Sequence, residues 1–424
     1  MNIINDVSIE EKLKILTEGA KYDVSCSSSG SQRAAQKGGL GNCSVGGICH
    51  SFTADGRCVS ILKILLTNAC EYDCLFCVNR RSNDVKRVRL SPREVADLVI
   101  NFYRRNYIEG LFLSSAVECS PNHTMIQLIE AVKILRDEYS FGGYIHLKAI
   151  PGAAPELIDQ AATLVDRMSI NIELPSENSL KLLAPQKCKE AIVHPMKQLA
   201  QTHIEQLEVG QKLEKIPAGQ TTQMIIGASS DSDGQIIRLS DSLYKKFKLK
   251  RVYYSSYVPV TENSKLPANA PDFRREHRLY EADWLLRFYG FNAEELIPVG
   301  TNFSLDVDPK CDWALRNFDI FPLEINTASY DMLLRVPGIG YKNAYRICQA
   351  RKYSKLDFDS LKKLHVVLNR ARHFVTANGK FYGQIAEPHV VRGLISNNLK
   401  RLGNNAENLQ ISMFNDYGKY TGEM

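Results

Sequence analysis

Residues 59–80 read VSILKILLTNACEYDCLFCVNR. The first ten positions are a short apolar run bounded by turn residues, the pattern of a buried strand. Directly after it stand Cys70, Cys74 and Cys77 in a C-x3-C-x2-C spacing. Thiolates are soft ligands suited to iron–sulfur clusters or zinc. Structural zinc takes four ligands, usually as paired C-x2-C knuckles. Three cysteines in one short loop leave one iron of a [4Fe-4S] cluster unfilled, which is useful only where a substrate or cofactor binds there.

Outward from this loop, strands and helices alternate. Strand-like runs cover 110–115 (GLFLSS), 144–150 (YIHLKAI), 167–173 (RMSINIE), 221–227 (TTQMIIG) and 251–259 (RVYYSSYVP). Helical patterns cover 92–103, 124–139, 155–164 and 235–247. Ser91 is placed to cap the first of these, with Glu94 completing a capping box. Buried strands joined by crossover helices predict an α/β fold with a parallel sheet. About six such units fall short of an eight-fold barrel, so the expectation is a partial (β/α)6 TIM-like barrel. Residues 176–217 interrupt the rhythm as a partly helical insertion. Residues 274–288 predict a long helix with exposed arginines and a buried Trp284/Leu285/Phe288 face.

Ahead of the loop, residues 21–58 are rich in Ser, Gly and Cys and lack periodicity, which predicts a loop-rich lead-in. The start, MNIINDVSIEEKLKIL, reads as an amphipathic helix and not as a signal peptide. No run reaches the roughly 18 apolar residues that span a bilayer, so a cytoplasmic location with no membrane partner is expected. Seven of the eleven cysteines lie between Cys26 and Cys77. In a reducing compartment such crowding points to metal binding or chemistry more than to disulfides. Cys26, Cys43, Cys49 and Cys58 fit either a second metal site or packed, free thiols. Cys119, just past the second strand, is a candidate hydrogen-atom donor; Cys188, Cys311 and Cys348 read as lone core cysteines.

The formal net charge of +6 is unevenly spread. Residues 331–380 hold 11 Lys/Arg against 3 Asp/Glu, which leaves the rest of the chain slightly acidic. A local polyanion-binding surface follows. Within this basic stretch, 325–351 read INTASYDMLLRVPGIGYKNAYRICQAR. Thr327 is a plausible cap for a first helix through Leu334, Pro337-Gly338-Ile339-Gly340 a tight turn, and Tyr341 the start of a second helix. This resembles the helix-hairpin-helix of DNA-binding proteins, with Val336 where that motif has Leu. The resemblance implies that Pro337, Gly338, Ile339 and Gly340, with Lys342 and Arg346, hold a nucleic-acid backbone phosphate. Arg351, Lys352, Lys362, Lys363, Arg370 and Arg372 supply further charge, and Leu361, Leu364, Val367 and Leu368 an apolar face for a packing helix.

The cysteine loop, with aromatic Phe76 before its last cysteine, resembles the radical SAM signature. Four further stretches, GGICHSFTADGRC at 46–58, GYIHLKAIPGAAPELI at 143–158, SINIELPSE at 169–177 and the PGIG turn, resemble one family in that superfamily, the DNA modification/repair radical SAM proteins. By that resemblance the open iron chelates S-adenosylmethionine, and an electron from the cluster releases a 5′-deoxyadenosyl radical. Ser114 and Ser115 would then meet the methionine amino group, Lys148 the carboxylate, Asn171 and Glu173 the ribose, and Ile225, Ile226 and Gly227 the adenine. Implied partners are DNA or RNA, an electron donor such as flavodoxin or ferredoxin, and a uracil-DNA-glycosylase-like protein. The rival readings are a radical SAM enzyme acting on RNA such as tRNA, and a non-catalytic Fe–S DNA-binding module. The implied layout is a lead-in (1–58), a barrel (59–260), a helical connector (261–320), a small all-α helix-hairpin-helix domain (321–380) and a C-terminal extension (381–424).

Overall fold

The computed structural model describes residues 3–4, 7–21, 48–52, 58–208, 215–260, 263–383 and 387–403. They fall into two compact units. The first holds the chain up to Asp231 together with Ser242–Pro271, and the second holds Ser232–Asp241 and the described residues from Asp272 onward.

The first unit opens with α1 (Ile9–Ala20), capped by the Ser8 side chain accepting from the Glu11 amide at 3.2 Å. Then come β1 (Ile48–Phe52), β2 (Cys58–Leu65), α2 (Pro92–Arg104), β3 (Gly110–Ser114), α3 (Pro121–Lys133), β4 (Tyr144–Lys148), α4 (Pro155–Leu164) and β5 (Arg167–Ser169). After these follow α5 (Glu177–Leu183), α6 (Lys189–Glu208), β6 (Gln220–Ile226), α7 (Asp233–Phe247), whose residues up to Asp241 belong to the second unit, and β7 (Arg251–Ser256). The seven strands lie in sequence order; β1 runs antiparallel to β2, and β2 to β7 are all parallel. Six parallel strands with crossover helices curl into a half-barrel, the partial (β/α)6 fold. Both faces are covered, so β3 is buried at every position, as parallel sheets require. The capping box on α2 forms as its sequence dictates: Ser91 Oγ accepts from the Glu94 amide and Glu94 from the Ser91 amide.

Four details depart from the periodicity. The lead-in contributes an edge strand, β1, whose pattern is too short to stand out from its Ser/Gly surroundings. β5 stops at Ser169; further along, Glu173 lies in the left-handed region at φ 65° and bridges to Met224. The helix after β3 ends in a π-turn at Ile134–Glu138. The insertion folds into two helices, α5 and α6.

The second unit contains α8 (Phe273–Phe288), α9 (Ala293–Leu296), α10 (Pro309–Arg316), β8 (Leu323–Glu324), α11 (Tyr330–Arg335), α12 (Tyr341–Ala350), α13 (Phe358–Lys363), α14 (Leu368–Ala371), β9 (Val375–Ala377), β10 (Lys380–Phe381) and α15 (Pro388–Gly403). It is helical apart from a three-stranded ribbon ordered β10-β9-β8. On α8 the expected faces are partly exchanged. Arg275 pairs with the fully buried Asp233 at 2.6 Å and Arg278 with Glu281 at 2.7 Å, so these arginines face inward. Phe288 is 41% exposed. An arginine with a buried carboxylate opposite competes for the core side of a helix, which hydrophobicity alone does not register. No described helix is long and apolar enough to cross a membrane.

Candidate functional site

The loop between β2 and α2 is tied down at its base and clamped from below. Thr67 Oγ1 donates to the Val88 carbonyl at 3.0 Å, and the Asn68 amide bridges the Lys86 carbonyl and the Val88 N–H, both at 2.8 Å. Beneath the cysteines lies Arg87, 5% exposed. Its guanidinium donates to four loop carbonyls: Asn68 at 2.6, Asn79 at 2.9, Arg80 at 2.6 and Asn83 at 2.8 Å. Burial lowers its pKa while the Cys70 and Cys77 sulfurs act to raise it. A guanidinium presents donors in a rigid fork, so one side chain fixes the path of the chain on both sides of the cysteines.

Cys70, Cys74 and Cys77 line one cavity at the C-terminal ends of the strands. Its empty space is about 1010 Å³, open solvent at the mouth included. Burial pushes the Cys74 thiol up to about 12 and the Cys77 thiol up to about 11. Among the described residues no group of three or more His, Cys, Asp or Glu converges tightly enough for a single metal ion. A [4Fe-4S] cluster asks for something else, since each thiolate binds its own iron and the ligands stand further apart. Two buried thiols and one half-buried thiol, Cys77, lining one cavity fit that group.

Of the other expected ligand contacts, Phe76, Ser115, Lys148, Asn171, Glu173 and Ile225 line the same cavity. Ser114 and Ile226 are fully buried away from it. Gly227 lies off the cavity too. At φ 82°, with an added Cβ only 2.7 Å from Pro271 Cγ, it is glycine for packing. Cys119 is exposed at φ 58° and does not line the cavity. Cys26 and Cys43 lie outside the described residues, and Cys49 and Cys58 sit on the paired strands β1 and β2. Cys311 is buried and Cys348 half-buried, whereas Cys188 is exposed just beyond α5.

The sequence reading missed Lys187. It lies within the insertion and pairs with Glu173 at 2.7 Å, the two side chains 14% and 9% exposed. Burial alone would lower the lysine pKa; Glu173 and the neighbouring Cys74 raise it instead, so it is a fixed cation. The segment docks on the cysteine loop through the Leu75 N–H donating to the Leu183 carbonyl at 2.8 Å. The insertion therefore delivers a charge to the site. Tyr72, Asn79, Gln223 and Tyr257 complete much of the polar wall.

In the second unit, α11 is capped by Ser329 and not by Thr327. Val336, Pro337 and Ile339 point inward, and Gly338 adopts φ 87°, where a Cβ would lie 2.6 Å from the Val367 carbonyl. Gly340 caps α12 without any side-chain hydrogen bond. The turn rests on Lys310, whose Nζ donates to the Ile339 carbonyl at 2.6 Å and sits 4.9 Å from the Tyr289 ring. Burial and Arg335 bring the Lys310 pKa down to about 7. Lys342, Arg346, Lys352, Lys362 and Lys363 are exposed, and Arg372 is half-buried. Arg351 is turned inward, donating to the Ile325 and Ala328 carbonyls, and Arg370 pairs with Asp308. Val367, expected on an apolar packing face, is 52% exposed, because the segment breaks into α13 and α14 there.

Residues 64–210 match the family model of the radical SAM superfamily. The chain carries a radical SAM domain. Residues 322–369 match the helix-hairpin-helix motif. The radical SAM family implies a [4Fe-4S] cluster and S-adenosylmethionine as cofactors. Similar solved structures include the FeFe-hydrogenase maturase HydG from Carboxydothermus hydrogenoformans, 17% identical with TM-score 0.40, covering 52% of this chain and 50% of that one. A radical SAM methyltransferase from Sphaerobacter thermophilus is 15% identical with TM-score 0.37, covering 55% and 68%. Coproporphyrinogen III oxidase (HemN) from Escherichia coli, described as a radical SAM enzyme, is 14% identical with TM-score 0.34, covering 51% and 50%. The chain thus spans about half the length of the maturase and the oxidase. No curated protein sequence matches it.

Proposed function

We propose that this chain is a radical SAM enzyme acting on nucleic acid, in DNA modification or repair. The reading rests on one conjunction: a three-thiol cavity with a buried cation at its wall, and a basic helix-hairpin-helix, on the same polypeptide. When bound, a [4Fe-4S] cluster with one open iron supplies the electron that splits S-adenosylmethionine into methionine and a 5′-deoxyadenosyl radical. Cys70, Cys74 and Cys77 would hold that cluster, with flavodoxin or ferredoxin as donor. Arg87 holds the loop in shape and offsets thiolate charge. Lys187 fixes the Glu173 carboxylate, and Lys148, Asn171 and Ser115 present polar groups from three different strand ends to an amino-acid and ribose moiety. Ile225 and Phe76 give the cavity its apolar wall.

A base or sugar atom inside a duplex is out of reach of such a cavity, so the target nucleotide must leave the stack, at a cost of a few kcal/mol. Damaged or mismatched bases do so most easily, which favours repair and is compatible with a uracil-DNA-glycosylase-like partner. The deciding experiment is mass spectrometry of nucleosides from DNA and from RNA of cells with and without the protein. A nucleoside gained or lost only in the DNA pool is expected; a change confined to tRNA would assign the enzyme to RNA instead.

A further inference from the structure

We infer that the outer face of α12, continued into the turn that follows it, is a stacking track for unpaired nucleotides, so that the favoured substrate carries a single-stranded segment beside the backbone held at the hairpin turn. This rests on the reading above that the hairpin binds nucleic acid, and it specifies which kind. The inward side of α12 is fixed by Ala344 and Ile347, both fully buried. On the outward side lie Lys342, Tyr345, Arg346 and Gln349, at the three- and four-residue intervals that put side chains on one helix face, and Lys352 and Tyr353 follow in the turn directly beyond the end of α12 at Ala350. Tyr345 is 59% exposed and Tyr353 89%.

A single exposed aromatic ring carries no message. Two rings interleaved with three cations along α12 and the turn that follows it do. No Asp or Glu occurs between Asp331 and Asp357, so the helix itself brings no carboxylate to this face, and Asp357, the next along the chain, is occupied in capping α13 by accepting from the Ser360 amide. The other tyrosine of the helix, Tyr341, behaves differently: its ring packs edge-on against Tyr289. The exposed pair is therefore not a general consequence of tyrosine in this helix. A basic groove with aromatic platforms is how sequence-tolerant single-strand binders work, because every base has a π-face. A duplex offers no open base to either ring.

The test is fluorescence anisotropy of the full chain with labelled blunt duplex, the same duplex with a ten-nucleotide overhang, and single strand. The native protein should bind the overhang more tightly than the blunt duplex. Tyr345→Ala and Tyr353→Ala should each weaken overhang and single-strand binding by about 10-fold and leave the blunt duplex unchanged, whereas Tyr345→Phe and Tyr353→Phe should bind like the native protein. Equal losses on blunt and overhang DNA, or none on either, would overturn the stacking track while leaving the hairpin reading intact. A native protein that binds none of the three would overturn both.

Discussion

The cysteine loop and the hairpin turn are both short connections with cations at hand, and they arrange those cations in opposite ways. At the cysteine loop the cations are buried and already engaged: Arg87 with four carbonyls, Lys187 with Glu173. At the hairpin the buried cation, Lys310, braces the turn from within, and Lys342, Arg346 and Lys352 stand in solvent. A small ligand bound in a cavity rewards a fixed, preorganised wall, since ordering the site beforehand lowers the cost of binding. A polyanion is bound through released counterions and needs charges that are exposed. Substitutions in the first region should therefore disturb structure and cofactor content, and substitutions in the second should disturb salt-dependent affinity alone.

The largest effect is expected at Arg87. Arg87→Met strips the donor from four carbonyls at once, and each buried unsatisfied group costs roughly 1–3 kcal/mol. Iron and sulfide content after anaerobic reconstitution should collapse while the far-ultraviolet circular dichroism stays native-like. A variant that takes up a full cluster would show that the loop is ordered by something else. Next comes the buried pair. Lys187→Met or Glu173→Gln alone leaves a buried partner unmatched, at about 3–5 kcal/mol. Thermal unfolding should show each single variant less stable than the combined Lys187→Met/Glu173→Leu chain; if the double is the worst, the pair is not coupled.

At the hairpin the prediction is smaller and of a different kind. Lys342→Ala with Arg346→Ala should leave the melting temperature unchanged and lower the slope of log affinity against log salt by roughly 1.8, about 0.9 per lost phosphate contact. A slope equal to the native one would remove these residues from the interface. The smallest effect separates the regions by pH. Burial would raise the Glu324 pKa, but the Gly379 amide, the Asn326 side chain and amide and the Asn378 amide bring it down to about 2. A carboxylate with a depressed folded pKa stabilises above its unfolded value near 4.5 and loses that contribution as pH falls toward 2. Unfolding followed from pH 5 to 2.5 should be less acid-sensitive in Glu324→Gln, with no such change in a cysteine-loop variant.

Much of this was legible in the residues. Strand periodicity located β2, β3, β4, β6 and β7 closely and overran β5, because buried parallel strands read as apolar runs, and the cysteine spacing pointed to the loop that lines the cavity. Lys187 was hidden, since a single lysine in a polar insertion has no local signature; only the chain's return to Glu173 gives it meaning. Arg87 was hidden for the same reason, as its partners are backbone carbonyls that no side-chain pattern records. Ser114 and Ile226 stand at the expected strand ends but face away from the cavity, because the pleat alternates and a one-residue shift exchanges the faces, whereas Gly227 lies past the end of β6 at φ 82° and packs on Pro271. On the hairpin, charge could be counted from sequence, yet which cations turn inward depended on the carbonyls and carboxylates they meet.

The most direct test is production of 5′-deoxyadenosine. The native chain, reconstituted anaerobically with iron and sulfide and reduced with dithionite, should convert S-adenosylmethionine to 5′-deoxyadenosine, and Cys74→Ala under the same conditions should not. Equal amounts from both would contradict a cluster held by Cys70, Cys74 and Cys77, and none from a native chain carrying its full complement of iron would make this an Fe–S binding module and not an enzyme.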